Sequence, residues 1–185
     1  ERWTNAIHPL VVKMGDLDPS SLTWASLGLA IFSFYLLSQA TGGSSGSIWI
    51  IGGVLLILIA GVLDALDGAL ARHQGTDGPY GDFLDHTIDR VVDVGLLVAI
   101  GMNSSFVDEP STGLIAGLMT LFGSYMGTQA QSVGLDRIYG GFSRADRMVI
   151  TILGLVAASW QAYSGTSGIS LDSMHWIMEL SLIHI

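Results

Sequence analysis

Apolar residues run along this chain in six blocks separated by short polar stretches. A membrane-spanning helix needs about 20 mostly apolar residues. The blocks predict helices over Leu22–Gln39, Ile48–Arg72, Tyr80–Met102, Gly113–Val133, Arg144–Tyr163 and Ser173–Ile185, the last short and carrying Glu179. Three connections read as turns: Thr41–Ser47, rich in Gly and Ser; Asn103–Thr112, with Pro110; and Ser164–Asp172. Ahead of the first block, Trp3, Ile7, Leu10, Val11 and Met14 recur at helical spacing, opposite Arg2, His8 and Lys13. That pattern suits a helix lying in the membrane interface, and equally one packed on the bundle. Pro9 would kink it. Asp18, Pro19, Ser20 and Ser21 supply turn and N-cap chemistry for the first span. The expected fold is an all-α membrane protein of six transmembrane helices plus an N-terminal interfacial amphipathic helix. It forms one domain, with residues 1–18 as the interfacial segment and 22–185 as the bundle. No cleavable signal peptide is expected, because about 20 mixed residues precede the first apolar run and no small-residue cleavage site follows.

Composition agrees with a chain solvated by lipid. Half of the residues are hydrophobic and 12% are charged, against about 25% in soluble domains. Basic residues set the orientation. Arg2 and Lys13 precede the first span, Arg72 ends the second, and Arg137, Arg144 and Arg147 surround the fourth-to-fifth connection, while the opposite loops hold no Lys or Arg. By the positive-inside rule these loops and the N-terminus face the cytoplasm of a multi-pass cell-membrane protein, and six spans return the C-terminus to that side. With 16 acidic and 7 basic residues the net charge is −9, which disfavours nucleic acid as a partner. There is no cysteine, so disulfides, zinc ribbons and thiol catalysis are excluded.

Seven of the 16 acidic residues fall between Asp64 and Asp93, where two spans meet the cytoplasmic interface. Carboxylates at membrane depth are costly unless they are paired, hydrated or metal-bound. Asp64 and Asp67 lie three apart on one helical face, which Gly68 and Ala71 share, and Arg72 follows one turn after Gly68. The next helix carries Gly81, Asp82, Asp85 and Asp89, with Asp85 and Asp89 four apart. Facing carboxylates on adjacent helices make an oxygen-only site suited to Mg²⁺, Mn²⁺ or Ca²⁺. A guanidinium suits phosphate oxygens. Divalent metal, arginine and a spare carboxylate are the equipment of phosphoryl transfer.

The run Asp64-x2-Asp67-Gly68-x2-Ala71-Arg72-x8-Gly81-x3-Asp85-x3-Asp89 resembles in full the signature of the CDP-alcohol phosphotransferase family. The resemblance implies an integral membrane enzyme that moves a phosphatidyl-type or archaetidyl-type group from a CDP-activated lipid to a polar alcohol and releases CMP. It further implies two Mg²⁺ or Mn²⁺ ions, a homodimer and an active site open to the cytoplasmic leaflet. Carried over by position, Asp64, Asp67, Asp85 and Asp89 resemble the metal ligands, with Asp89 also the general base. Gly68, Ala71, Arg72 and Gly81 resemble CDP-binding positions. Pro19–Thr23 resembles the family's Pro-Asn-x-Leu-Thr segment, with Ser20 in place of the Asn, and brings Thr23 to the nucleotide side.

On the acceptor side, Arg144 and Arg147 stand three apart at the start of a helix, where anions are favoured. They resemble the Glu-Arg-x-x-Arg region of relatives that use inositol phosphate, which points to a phosphorylated acceptor. Those relatives also carry an Arg-x-Arg pair at the end of the fourth span. Here the uncharged Gln129 and Gln131 stand there instead, so glycerol phosphate, or a non-phosphorylated alcohol such as serine, stays open. His86 is read as a packing or interfacial residue, His73 as a loop residue within reach of a nucleotide, Asp93 as a structural polar contact to a neighbouring span, and Arg90 as a partner for an acid or a contact to the headgroup zone. His8, His175 and His184 have no metal-ligand spacing. The lysine-poor, acidic composition leans towards a salt-adapted archaeal source and an archaeol donor. The competing readings are an aspartate-rich membrane prenyltransferase and a divalent-cation or proton transporter.

Overall fold

The computed structural model describes residues 9–135 and 144–165. Five long helices account for most of them: α1 (Pro19–Gln39), α2 (Gly43–Gln74), α3 (Pro79–Gly101), α4 (Pro110–Ser132) and α5 (Arg144–Ser164). A short helical stretch, 9–13, precedes α1, and no strand occurs among the described residues. The expected sixth span over Ser173–Ile185 lies outside the described residues, as do Arg137 and the interfacial stretch up to His8.

Local chemistry sets the helix ends that matter for the site. Asp18 caps α1 by accepting the Ser20 N–H at 3.3 Å, and Pro19 occupies the first turn, where its missing N–H has no helical partner to lose. Gly75 ends α2 in the left-handed region at φ 67°, returning its N–H to the Ala71 and Arg72 carbonyls. Four residues, 75–78, then lead to Pro79, the first residue of α3. Three expectations are corrected. The turn read over Asn103–Thr112 stops at Glu109, because α4 begins at Pro110, and His73, read as a loop residue, lies in the last turn of α2. The Gly/Ser segment Thr41–Ser47 is not a turn beyond Gly42, because α2 begins at Gly43. Ser47 is drawn into the helix by packing on α5: its hydroxyl meets that of Ser159 at 2.8 Å, and its carbonyl accepts from the same hydroxyl at 3.2 Å.

Packing runs in the order α5, α2, α1, α3, α4. Helix α1 is therefore the wedge between the two helices that carry the acidic motif. Its residues Ala30 and Leu37 pack with Ile50, Val54 and Ile57 of α2 and with Leu96 and Ile100 of α3 in the main core. The contacts within the bundle mix apolar burial with close approach and polar links. Ser33 donates to the Gly53 carbonyl at 2.8 Å. A methyl group on Gly101 would overlap the backbone of Gly113, so α3 and α4 cross there nearly backbone to backbone. Asn103 donates to the Leu37 and Ala40 carbonyls at 2.7 and 2.8 Å, closing the end of α1 far from the acidic motif. A second, smaller core of Val11, Leu22, Leu66 and Leu70, with Met14 beside it, seats the 9–13 stretch against α1 and α2.

The outward face is apolar. Trp24, Ile31 and Phe32 of α1, Leu55, Leu58 and Ile59 of α2, Leu118 and Phe122 of α4, and Leu153 and Trp160 of α5 are all exposed. An exposed patch of this extent marks contact with lipid or protein rather than water. Helices α1 and α2 are long and apolar enough to cross a membrane. Helix α3 differs because its first half carries Asp82, Asp85, Asp89, Arg90 and Asp93. Helix α5 opens on Arg144, Asp146 and Arg147, and α4 is diluted by Gly, Ser, Thr and Gln. Among the described residues the chain is all-helical, with an apolar outward face and most of its charge at one end of the bundle, Asp108 and Glu109 lying at the other.

Candidate active site

That charged end encloses a cavity of about 490 Å³. The end of α2, the start of α3 and the start of α1 line it, through Thr23, Asp64, Asp67, Gly68, Ala71, Arg72, Gly81 and Asp85 among others. Residues as far apart in the chain as Asp18 and Asp85 thus face one space, because α1 holds α2 and α3 apart at depth while the 75–78 turn joins them at the mouth. Gly81 leaves open space where a side chain would stand. At Gly68 a methyl group would meet the Arg72 guanidinium at 3.3 Å, so the glycine makes room for that guanidinium to fold back along α2 into the cavity wall.

The four motif carboxylates differ in burial. Asp67 and Asp89 are 6% and 9% exposed, whereas Asp64 and Asp85 are half-buried. Each lies close enough to interact electrostatically with the other three. Mutual repulsion of this kind in a partly dry site requires positive charge or strong donors nearby. Thr23 supplies one donor, a short hydrogen bond from its hydroxyl to Asp67. The Arg144 Nη2 meets Asp89 at 2.7 Å. Asp85, His86 and Asp89 can each present a ligand atom within 4.8 Å of the others. The donor set is dominated by carboxylate oxygen, with one exposed imidazole, and fits a hard divalent cation.

Not every expected site residue reaches the cavity. Asp89 lies behind the lining, against Arg144 and with Arg90 Nη2 at 3.7 Å. Arg144 points to α3: its Nε donates to both oxygens of Asp93 at 3.0 Å. Arg147 is half-buried one turn further along α5. Gln129 and Gln131 are exposed at the end of α4, away from the lining. His86 is exposed with its Nδ1 3.8 Å from Asp85. Asp93 is indeed a polar contact to a neighbouring helix, and Arg90 does pair with acids.

Sequence reasoning missed the rest of the wall: Asp18, Thr76, Asp77 and Tyr80 also line the cavity. The last three sit in the eight-residue gap of the motif, which spacing arguments skip. Gln74 organises this side by donating to the carbonyls of Gly15 and Leu17 at 2.9 and 2.8 Å, which fixes the segment leading to Asp18. The clue available in the sequence was Gly75 and Gly78 bracketing a short polar turn.

A sequence model of the CDP-alcohol phosphatidyltransferase family matches residues 17–182. The archaetidylinositol phosphate synthase of Methanothermobacter thermautotrophicus is 31% identical over 158 residues, covering 85% of this chain and 79% of that protein. The phosphatidylinositol phosphate synthase of Cutibacterium acnes is 24% identical over 163 residues, covering 83% and 73%. Among solved structures, the phosphatidylinositol phosphate synthase of Mycobacterium tuberculosis with CDP-DAG bound matches at a TM-score of 0.73 and 21% identity, over 100% of this chain and 90% of that one. The same enzyme in complex with manganese and citrate gives a TM-score of 0.75 over 98% and 84%, also at 21% identity. The likeness to these structures establishes the fold.

Proposed function

The chain belongs to the CDP-alcohol phosphatidyltransferase family, and from that premise we propose that it transfers the phosphoryl-lipid group of a CDP-linked lipid to a phosphorylated alcohol. Inositol phosphate is the favoured acceptor, and CMP leaves. The observation that carries this reading is the gathering of Thr23, Asp64, Asp67, Gly68, Arg72, Gly81 and Asp85, from three helices, around one cavity.

Each group has a part that its surroundings allow. Asp64, Asp67, Asp85 and Asp89 are the residues to hold divalent cations, two Mg²⁺ or Mn²⁺ ions on this reading. When bound, such ions supply neutralisation of the diphosphate charge. The Thr23 hydroxyl orients Asp67 by its hydrogen bond. Ala71 and Gly81 leave the backbone approachable to a nucleotide, and Gly68 makes room for Arg72, which at the cavity wall meets phosphate oxygen. Asp89 accepts the proton of the acceptor hydroxyl as its oxygen attacks the lipid-linked phosphorus. The phosphoanhydride bond breaks on the opposite side and its electron pair leaves with CMP, so atoms and charge balance without a covalent enzyme intermediate.

Acceptor choice follows from charge at the start of α5. Arg147 is half-buried and, among the described residues, makes no ion pair, so it suits the acceptor phosphate. The curated relatives are named for inositol phosphate products. Arg72, Arg144 and Arg147 all stand at the cavity end, which by the positive-inside rule lies at the cytoplasmic face. The exposed apolar girdle supports a multi-pass topology of six spans with an interfacial N-terminal helix, and a homodimer is the expected assembly.

The test is CMP release by the purified protein in lipid vesicles with Mg²⁺, given CDP-diacylglycerol or CDP-archaeol and, separately, inositol phosphate, glycerol phosphate, serine, inositol or glycerol. Inositol phosphate is expected to give the fastest release. Release with serine alone, or equal release without any alcohol, contradicts the assignment.

A further inference from the structure

We propose that Asp93, a residue outside the family signature, is a positioning residue for the transfer: it holds the Arg144 guanidinium against Asp89 and leaves the acceptor charge to Arg147. The inference rests on the transferase reading above.

The geometry is a relay across three side chains. Asp93 is 7% exposed and lies one turn beyond Asp89 on α3. Both of its oxygens accept from Arg144 Nε at 3.0 Å, while Arg144 Nη2 meets Asp89 Oδ1 at 2.7 Å. Arg90 closes the group from α3 itself, with Nη2 3.5 Å from Asp93 and 3.7 Å from Asp89. Two carboxylates thus face two guanidiniums, and the charges balance.

Helix α5 packs on α2, not along α3. The Arg144 side chain ties the start of α5 to the acidic face of α3, where Arg147 also feels the charge of Asp93. A long arginine held by one carboxylate alone keeps much rotamer freedom. Gripped by Asp93 as well, its fork has one orientation, and Asp89 has one rotamer to present. The side chain of Asp93 contacts Arg144 and Arg90, and it acts through Arg144. This assignment removes Arg144 from acceptor recognition: two donor positions of its fork are already committed to α3.

The experiment is steady-state CMP release by full-length protein in vesicles, with both substrates varied. Asp93→Asn lowers kcat by about tenfold or more through lost orientation of the base, while both KM values stay within about twofold. Asp93→Glu, which keeps the charge, recovers part of kcat. Arg147→Gln raises the KM for the acceptor and leaves the KM for CDP-lipid unchanged. An Asp93→Asn enzyme with wild-type kcat overturns the proposal, and so does one whose defect lies in acceptor KM, since Arg144 would then serve the acceptor. Should Asp93→Asn fail to fold, the double variant Asp93→Asn/Arg144→Gln leaves neither charge buried without its partner. Its kcat is expected to equal that of Arg144→Gln alone, and a further multiplicative loss counts against the coupling. Absence of CMP release by the wild-type protein would instead refute the activity itself.

Discussion

Asp89 is held on two sides by guanidiniums and sits behind the cavity lining, while Asp64, Asp67 and Asp85 form part of that lining. The four are chemically alike, and burial and partners separate their roles. Asp89→Asn keeps the shape but removes the proposed proton acceptor. It is expected to lower CMP release by about 10²–10⁴-fold, the usual worth of a general base, with CDP-lipid binding retained in an equilibrium assay. A variant that turns over at the wild-type rate rules out Asp89 as the base. At this scale the motif residues were legible in the sequence, because period and spacing place them on one helix face. Gln74 was not, since its partners are main-chain carbonyls at Gly15 and Leu17, which no pattern of side chains reports. The pairing of Arg144 with α3 was equally hidden, because it depends on how α5 is placed.

The helices show the same division between what local pattern dictates and what packing decides. Helix α4 opens at Pro110, inside a stretch that reads as a turn, while the starts at Pro19, Pro79 and Arg144 were readable at or near predicted boundaries. The start of α2 was not, because glycine and serine read as a turn until Ser47 finds Ser159 on α5. Asn103 shows how far helix ends depend on tertiary partners. Its amide donates to two carbonyls at the end of α1: that of Leu37, which also accepts from the Ala40 N–H at 3.3 Å, and that of Ala40 itself. Asn103→Ala is expected to destabilise the protein by about 1–3 kcal/mol, the penalty for losing a buried donor to these carbonyls. A thermal melt in detergent reads this as a lowered Tm, and an unchanged Tm would show that water replaces the amide.

Across the described residues, an apolar girdle surrounds the bundle while most of the charge, and every arginine, collects at one end. Such a distribution suits a reaction between a lipid in the bilayer and an alcohol in water, since the diphosphate of the lipid lies at the boundary between them. The order of packing, with α1 between the two acidic helices, brings their ends together without packing them side by side. That order was not legible in the sequence, for apolar periodicity says which residues are buried but not which neighbour buries them. The most direct test is the fate of the phosphorus itself, using CDP-lipid labelled at the phosphate attached to the lipid, with Mg²⁺ and inositol phosphate. The label is expected in the product lipid with unlabelled CMP released, and chelation of the metal is expected to stop both. Label recovered in the nucleotide, or transfer that persists after chelation, would contradict the account.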